Sequence, residues 1–324
     1  MKYRLLGRTG LRVSEIGFGA WAIGSNWGRQ SISDSVEALN KAIDMGLNFI
    51  DTALGYGNGK SEQIIAEVLK ERREKVIVAT KIPPVEGPWP PSPYCSSSDR
   101  YPETYIRNAI DTCRKNLDTD SIDILQLHTW TRAWNRNPRP LDILHKLKEE
   151  GVIRHIGLST PEQDQNALIF LMREGYLDTV QLIYNIFEQE PAAELLPVAL
   201  DKNIGVIVRV ALDEGILTGK YKSGHLFPKD DFRSKYFEGD RMPRALHRVE
   251  LIKKELEHTD FTIAQAALKF VLAHPAVSTV ITGIRNKNQA TQNMKTTDIP
   301  DLPDDLMIKL RGHVWRRGIW YSGK

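Results

Sequence analysis

The stretch NFIDTALGYGNG, residues 48–59, is apolar until it reaches Asp51, then breaks into a glycine-rich turn that carries Tyr56. The same figure recurs twice downstream. VIVATKI (76–82) runs through Val, Ile and Ala to Lys81, and DILQLHTW (123–130) runs through Ile and Leu to His128. Each reads as a buried strand that ends where a polar residue meets water or a substrate. In a barrel of alternating strands and helices, such strand ends converge on one face, where the loops build the active site. An Asp, a Tyr, a Lys and a His delivered to one face suggest a proton-donor apparatus.

The rest of the chain repeats the pattern. Eight runs read as strands: residues 16–19, 48–52, 76–81, 122–128, 155–159, 179–184, 205–210 and 278–283. Most are near-continuous Val, Ile and Leu, as expected of parallel strands covered on both faces. Helical patterns lie between them, at 33–45, 61–73, 102–117, 140–150, 161–174, 191–202, 245–258 and 262–273. Two more, at 286–294 and 303–311, follow the last strand. Gly46 closes the first helix, and four of the helices between strands open on a proline, which suits the first turn. The reading is one α/β domain over residues 1–324, a (β/α)₈ TIM barrel. A short N-terminal β-hairpin (2–5 and 11–13, across GRTG) precedes it. A doubly wound open sheet is the rival, but the first strand runs into GFGAWAIG (17–24) and lacks that fold's dinucleotide fingerprint.

Composition narrows the function classes. The 324 residues are 41% hydrophobic and 26% charged, with a formal charge of +3, the profile of a folded soluble protein. Basic residues are scattered, and KERREK (70–75) reads as a solvated helix face, so nucleic acid is not an expected partner. Two cysteines, Cys95 and Cys113, without CxxC spacing, imply free thiols and a reducing compartment. The charged MKYRLLGRTGLRV start does not read as a signal peptide, and no apolar run reaches the ~20 residues of a membrane span. A cytoplasmic location without membrane contact is expected. GYGNGKS (55–61) is close to a phosphate-binding P-loop. That motif needs glycine at the position held by Leu54, so a nucleoside triphosphatase is rejected.

Long loops follow several strands, at 82–101, 129–139 and 211–244, with a tail at 298–324. Long loops in compact domains are commonly functional. Six of the seven tryptophans fall in loops or the tail: Trp27, Trp89, Trp130, Trp134, Trp315 and Trp320. Trp130, two residues past His128, is the one expected to line the substrate pocket with Tyr56 and His128. The alternative is that it anchors its loop to the body.

The four strand-end residues fit the reduction of a carbonyl group. Tyrosine donates a proton, with an unperturbed pKa near ~10; an ammonium beside it stabilises the phenolate and is expected to lower that value. Lys81 suits that role and Asp51 would hold Lys81 as an ion pair. His128 would hydrogen-bond the carbonyl oxygen and orient it.

These residues resemble the aldo-keto reductase family, in its bacterial NADP-dependent form. The matches are Asp51-Thr52-Ala53, Gly55-Tyr56-Gly57, Ser61-Glu62, Thr80-Lys81, Leu127-His128, Gly157-Leu158-Ser159, Gln181, Tyr184-Asn185 and Gly215 to Lys220 (GILTGK). They run in order over essentially the whole chain. The resemblance implies that Tyr56 is the general acid, tuned by Lys81 and Asp51, with His128 orienting the substrate. It implies NADPH as cofactor, bound without a Rossmann turn. Ser159 and Gln181 would hold the carboxamide, and Leu212, Gly215, Leu217 and Lys220 the ribose and pyrophosphate. Gly283, Arg285, Gln289 and Asn293 would hold the adenosine end, and Trp21, Asp51 and Arg209 complete the cofactor set.

The sequence departs from the family pattern at Thr160, where asparagine is usual, and at Arg209, where many members carry an aromatic that stacks on the nicotinamide. Thr282 replaces a proline. No basic residue stands at Gly283, so a preference for NADPH rests on Arg285 and a 2′-phosphate. Arg209 can stack as a plane, and its charge would disfavour the oxidised, cationic ring. The reading is thus an aldehyde or ketone reductase. The alternatives are a sugar or polyol dehydrogenase working oxidatively, and a cofactor-binding regulatory subunit that docks on a partner protein. Oligomeric state is unreadable.

Overall fold

The computed structural model describes residues 1–24, 28 and 30–315. Trp27, Trp320 and the pair Arg316 and Arg317 lie outside the described residues. Strands β1 (Tyr3–Leu5) and β2 (Arg12–Ser14) form the expected antiparallel hairpin. Eight parallel strands then close a barrel: β3 (Ile16–Gly19), β4 (Phe49–Asp51), β5 (Ile77–Ile82), β6 (Ile122–Leu127), β7 (Ile153–Ser159), β8 (Thr179–Ile183), β9 (Gly205–Arg209) and β10 (Val277–Gly283). Each pairs with its sequence neighbour, and β10 pairs with β3 to close the ring. The open sheet is excluded.

Period-two alternation sorts the strand residues into two separate apolar clusters. Phe49, Ile77, Ala79, Ile124, Ile207 and Ile281 point inward and form a small cluster with Leu6 and Val13. The intervening residues, among them Ile50, Val78, Leu125, Leu158, Val180 and Val208, face outward into the larger core beneath the helices. The hairpin therefore supplies Leu6 and Val13 as a plug for the floor of the barrel. Gly7 sits at φ +50°, and a Cβ there would come within 2.2 Å of the Gly205 nitrogen, so only glycine passes this point. One residue further up each strand on the inner face, the apolar layer gives way to Asp51, Lys81, Gln126, Gln181 and Arg209.

The helices are α1 (Ile32–Asp44), α2 (Lys60–Lys70), α3 (Ser97–Arg100), α4 (Glu103–Leu117), α5 (Arg139–Glu149), α6 (Ile169–Arg173), α7 (Leu195–Asp201), α8 (Phe232–Tyr236), α9 (Arg241–Leu256), α10 (Ile263–Leu272), α11 (Lys287–Lys295) and α12 (Asp304–Arg311). Ser31 caps α1 by accepting from the Asp34 N–H, and Gly46 follows it at φ +91°. The helix expected at 161–174 is shorter: Pro161 opens a turn, a 3₁₀ segment spans Gln165–Leu168, and only α6 is α-helical. The reason lies in Gln165, whose side chain accepts from the Thr160 hydroxyl (3.2 Å) and the Ile183 N–H (2.7 Å) and ties the turn to the barrel rim. Two expected loops carry helices: α3, closed by a Ser96–Asp99 capping box, and α8. Both cysteines are free thiols. No helix among the described residues is long and apolar enough to cross a membrane.

Candidate active site

All eight barrel strands run the same way, so their C-terminal ends share one mouth. Asp51 ends β4, Lys81 is the penultimate residue of β5, and His128 directly follows β6. The turn after β4 carries Tyr56, fixed by its N–H to the Ala53 carbonyl and by the Ser61 N–H to its own carbonyl. Behind that turn the Thr52 hydroxyl donates to Ser61 (2.8 Å), which anchors the start of α2.

Lys81 is fully buried. Its ammonium donates to Asp51 Oδ2 (2.6 Å) and to the Thr52 carbonyl (2.8 Å). The other oxygen of Asp51 accepts from Gln181 Nε2 (2.7 Å) and Gln126 Nε2 (3.2 Å). A buried pair whose remaining lone pairs are satisfied in this way holds its geometry. The Lys81 ammonium lies 5.2 Å from the centre of the Tyr56 ring.

Tyr56 as a residue is half-buried, and its hydroxyl has the surroundings of a protein interior. Burial pushes that hydroxyl above its ordinary value; Lys81 pulls it down and Asp51 pushes it back up. The expectation of a lowered phenol pKa is thereby reversed. Asp51 neutralises the charge that was to lower it, and desolvation is left in control. The group is a firmly protonated donor.

His128 packs edge-on against Tyr56, ring centres 5.8 Å apart. Burial, then Lys81 and Arg209, hold its imidazole well below the usual histidine range, so it is neutral. Its Nδ1 has no partner within the protein. Trp89, from the loop after β5, stands edge-on to His128 at 5.4 Å. Trp21 stacks beside Tyr56 with ring centres 6.4 Å apart and lies 5.3 Å from the ring of Phe232 in α8. Trp130 is elsewhere. It is fully buried against Trp134, and its indole N–H donates to Asn135, so it offers no surface to a pocket. Trp130 is an anchor of its loop, and the tryptophan beside His128 is Trp89.

The other expected cofactor residues line the rim from β7 to β10. Ser159 ends β7 and is buried. Arg209 ends β9, and its Nη2 donates to the Thr160 carbonyl (3.2 Å) and to Glu162 (3.1 Å). Leu212, Gly215 and Leu217 belong to a tight turn after β9 in which Gly215 adopts φ +90°. Leu217 is wholly buried, backbone included. Gly283 is exposed, with open space where a Cβ would be. Arg285 exchanges hydrogen bonds with Gln30 through its Nε (2.9 Å) and its carbonyl (2.7 Å). Gln289 accepts from the Arg285 N–H and Asn293 donates to Thr282. Burial, then Arg233 and Arg285, lower the Lys220 ammonium, so three cations share this end of the rim. Asp231, held by Arg233 at 2.6 Å, and Glu214 offset part of their charge.

Gln126, Glu162, Trp89 and Arg233 were missed in the sequence. Gln126 alone carried a signal, since it lies two residues before His128 and must share its inward face. Trp89 and Glu162 sit in connecting segments and Arg233 in the five-residue α8, all too short or irregular for a periodicity to report direction. No cluster of histidine, cysteine and carboxylate side chains among the described residues could hold a metal.

The family model for the Aldo/keto reductase family matches residues 15–314. The chain belongs to that family. It is 31% identical over 296 residues to the aldo-keto reductase YhdN of Bacillus subtilis, covering 89% of this chain and 86% of that one. It is 29% identical to the NADH-specific methylglyoxal reductase of Escherichia coli, over 92% and 94% of the two chains. The structure of the glycerol dehydrogenase AKR11B4 from Gluconobacter oxydans superposes with a TM-score of 0.78 at 28% identity, over 96% and 94%. This aldo/keto reductase is thus an oxidoreductase that reduces carbonyl groups with a nicotinamide cofactor.

Proposed function

We propose that the protein reduces a small aldehyde or ketone with NADPH, with Tyr56 as proton donor. The observation that carries this reading is the Tyr56 hydroxyl, buried and protonated beside the Lys81–Asp51 pair with a neutral His128 across the ring. A carbonyl oxygen set between Tyr56 and His128 accepts hydrogen bonds from both, and those bonds strengthen as negative charge develops on it. Tyr56 then transfers its proton to that oxygen. Lys81 stabilises the phenolate left behind, and Asp51 keeps Lys81 in place. Neutral His128 steers the oxygen without adding a second acid. When bound, the dihydronicotinamide supplies the hydride to the carbonyl carbon.

The residues present fit that cofactor. Lys220, Arg233 and Arg285 are cations gathered on the rim beyond β9 and β10, as a ligand with several phosphates requires. The turn through Gly215 brings backbone to the same place. The 2′-phosphate falls to Arg285, and through it the preference for NADPH over NADH. Trp21, Trp89 and Tyr56 surround the reacting position with apolar ring surface, which favours a substrate with an apolar or aromatic body. The oxidative and regulatory readings lack any such supporting feature. A cytoplasmic setting suits the two free thiols.

Titration of intrinsic tryptophan fluorescence with NADPH and NADH tests the reading. Saturable quenching, tighter for NADPH, is expected. Arg285→Ala removes most of that difference by weakening NADPH alone. Absence of binding by either cofactor refutes the proposal, and an unchanged preference in Arg285→Ala removes Arg285 from the 2′-phosphate.

A further inference from the structure

Arg209 does something that neither its strand nor the reduction chemistry requires. It ends β9, yet its guanidinium is tied to the Thr160 carbonyl and to Glu162, both in the segment that follows β7. Strand β8 lies between β7 and β9 in the barrel. The side chain therefore crosses the mouth in front of the end of β8, above Gln181. Its charge acts on both Tyr56 and His128, so it borders the place where a carbonyl and a reduced ring must meet. The Arg209 Nε and the second Glu162 oxygen are buried and have no partner within the protein. Apart from the bond to the Thr160 carbonyl, which carries no charge, Arg209 and Glu162 bond each other, and each charge faces the other at 3.1 Å.

The nicotinamide ring is neutral when reduced and carries one positive charge when oxidised. We infer that the Arg209–Glu162 pair sets which redox form of the nicotinamide the mouth prefers, Arg209 disfavouring the cationic ring and Glu162 compensating for it. This rests on the proposed function, because it takes a nicotinamide in this mouth as given. It gives Arg209 a role that the aromatic residue usual in the family cannot have, since a neutral ring discriminates weakly between the two forms. The pair acts as a balance. With both members present the mouth is close to neutral and binds both forms, as turnover requires.

The two charges predict opposite effects when removed singly. Glu162→Gln leaves the guanidinium uncompensated, so the oxidised form weakens relative to the reduced form. Arg209→Gln leaves the carboxylate, so the oxidised form tightens relative to the reduced form. The quantity to measure is the ratio of Kd for NADP⁺ to Kd for NADPH, by fluorescence titration at fixed ionic strength. It cancels any loss of affinity common to both forms. A single unit charge beside the ring in a partly buried site shifts this ratio by on the order of tenfold. Glu162→Gln should raise the ratio, Arg209→Gln should lower it, and the double variant should return it toward the wild-type value. Thermal unfolding of each variant checks that it folds; if one does not, the sign of the other alone decides. Ratios that stay unchanged, or move in the same direction, overturn the inference. So does loss of all binding in both single variants, because the pair would then hold the site together rather than set its charge. Failure of the wild-type protein to bind either form would instead overturn the proposed function.

Discussion

In the proposed reduction a single hydroxyl group, that of Tyr56, gives the proton, and its surroundings set the pH range in which it can do so. Tyr56→Phe keeps the ring contacts with Trp21 and His128 and removes only the proposed proton donor. Steady-state turnover should fall by at least ~10²- to 10⁴-fold, the usual contribution of a general acid, while fluorescence titration finds cofactor affinity little changed. Retained turnover would take the role away from Tyr56. The pH dependence follows from the two shifts. Tyr56 is displaced upward from 10.0, so it stays protonated at and below that pH. His128 is displaced well downward from 6.5, so it stays neutral through that pH as the solution is acidified. The profile of kcat/KM for carbonyl reduction should thus show neither an acid limb near 6.5 nor an alkaline limb below 10. The same shift affects stability with a definite sign. Below pH 6.5 the unfolded chain takes up a proton on His128 that the folded chain refuses, so this contribution is complete above 6.5 and is lost on acidification.

At the scale of elements, what the sequence disclosed depended on whether a periodic constraint acted on each residue. Strands covered on both faces must be apolar, and all eight barrel strands were readable within about two residues of their ends, as 16–19 and 122–128 illustrate. Asp51, Lys81 and His128 were readable because they interrupt such runs. Residues in loops obey no period. That is why Trp130 was expected in the pocket although it is buried against Trp134 while Trp89 stands beside His128, and why Glu162, in a turn, and Arg233, in a helix of five residues, escaped notice. The segment 161–174 failed for a different reason: a helical pattern lost to one side-chain contact, Gln165 on the rim, that only the folded barrel supplies. Strand register also explains a residue that motif matching alone cannot. Gly157 lies beside Gln126 on β6 and Thr179 on β8. A Cβ there would sit 2.5 Å from the Thr179 hydroxyl and 2.7 Å from Gln126 Cγ. Gly157→Ala should cost about 1–3 kcal/mol by overpacking, read from urea unfolding. It should also lower kcat by displacing Gln126 from Asp51. An unchanged midpoint would mean that the inner layer yields more easily than its register implies.

At the scale of the whole molecule, the barrel divides its labour between two ends. The floor is closed by Leu6 and Val13 from the hairpin, which pack on inward-facing apolar residues of the strands. The mouth carries Asp51, Lys81, Gln126, Gln181 and Arg209 on the same inner faces. Two layers of one inner surface therefore lie at opposite ends, apolar packing below and the proposed chemistry above. Arg4 strengthens the lower closure by donating to the carbonyls of Leu272 (2.8 Å) and Val277 (3.1 Å), which joins the first strand to the last βα unit. Separation of this kind is testable, because distant sites without shared partners contribute independently. Leu6→Ala empties a fully buried position at the floor and should destabilise the fold by about 2–5 kcal/mol, the usual cost of truncating a core leucine. Chemical denaturation would measure that loss. At a temperature where the variant remains folded, its KM and kcat should match those of the parent protein. A fall in kcat with an unchanged unfolding midpoint would show instead that the floor controls the geometry of the mouth, and that the two ends of the barrel are mechanically coupled.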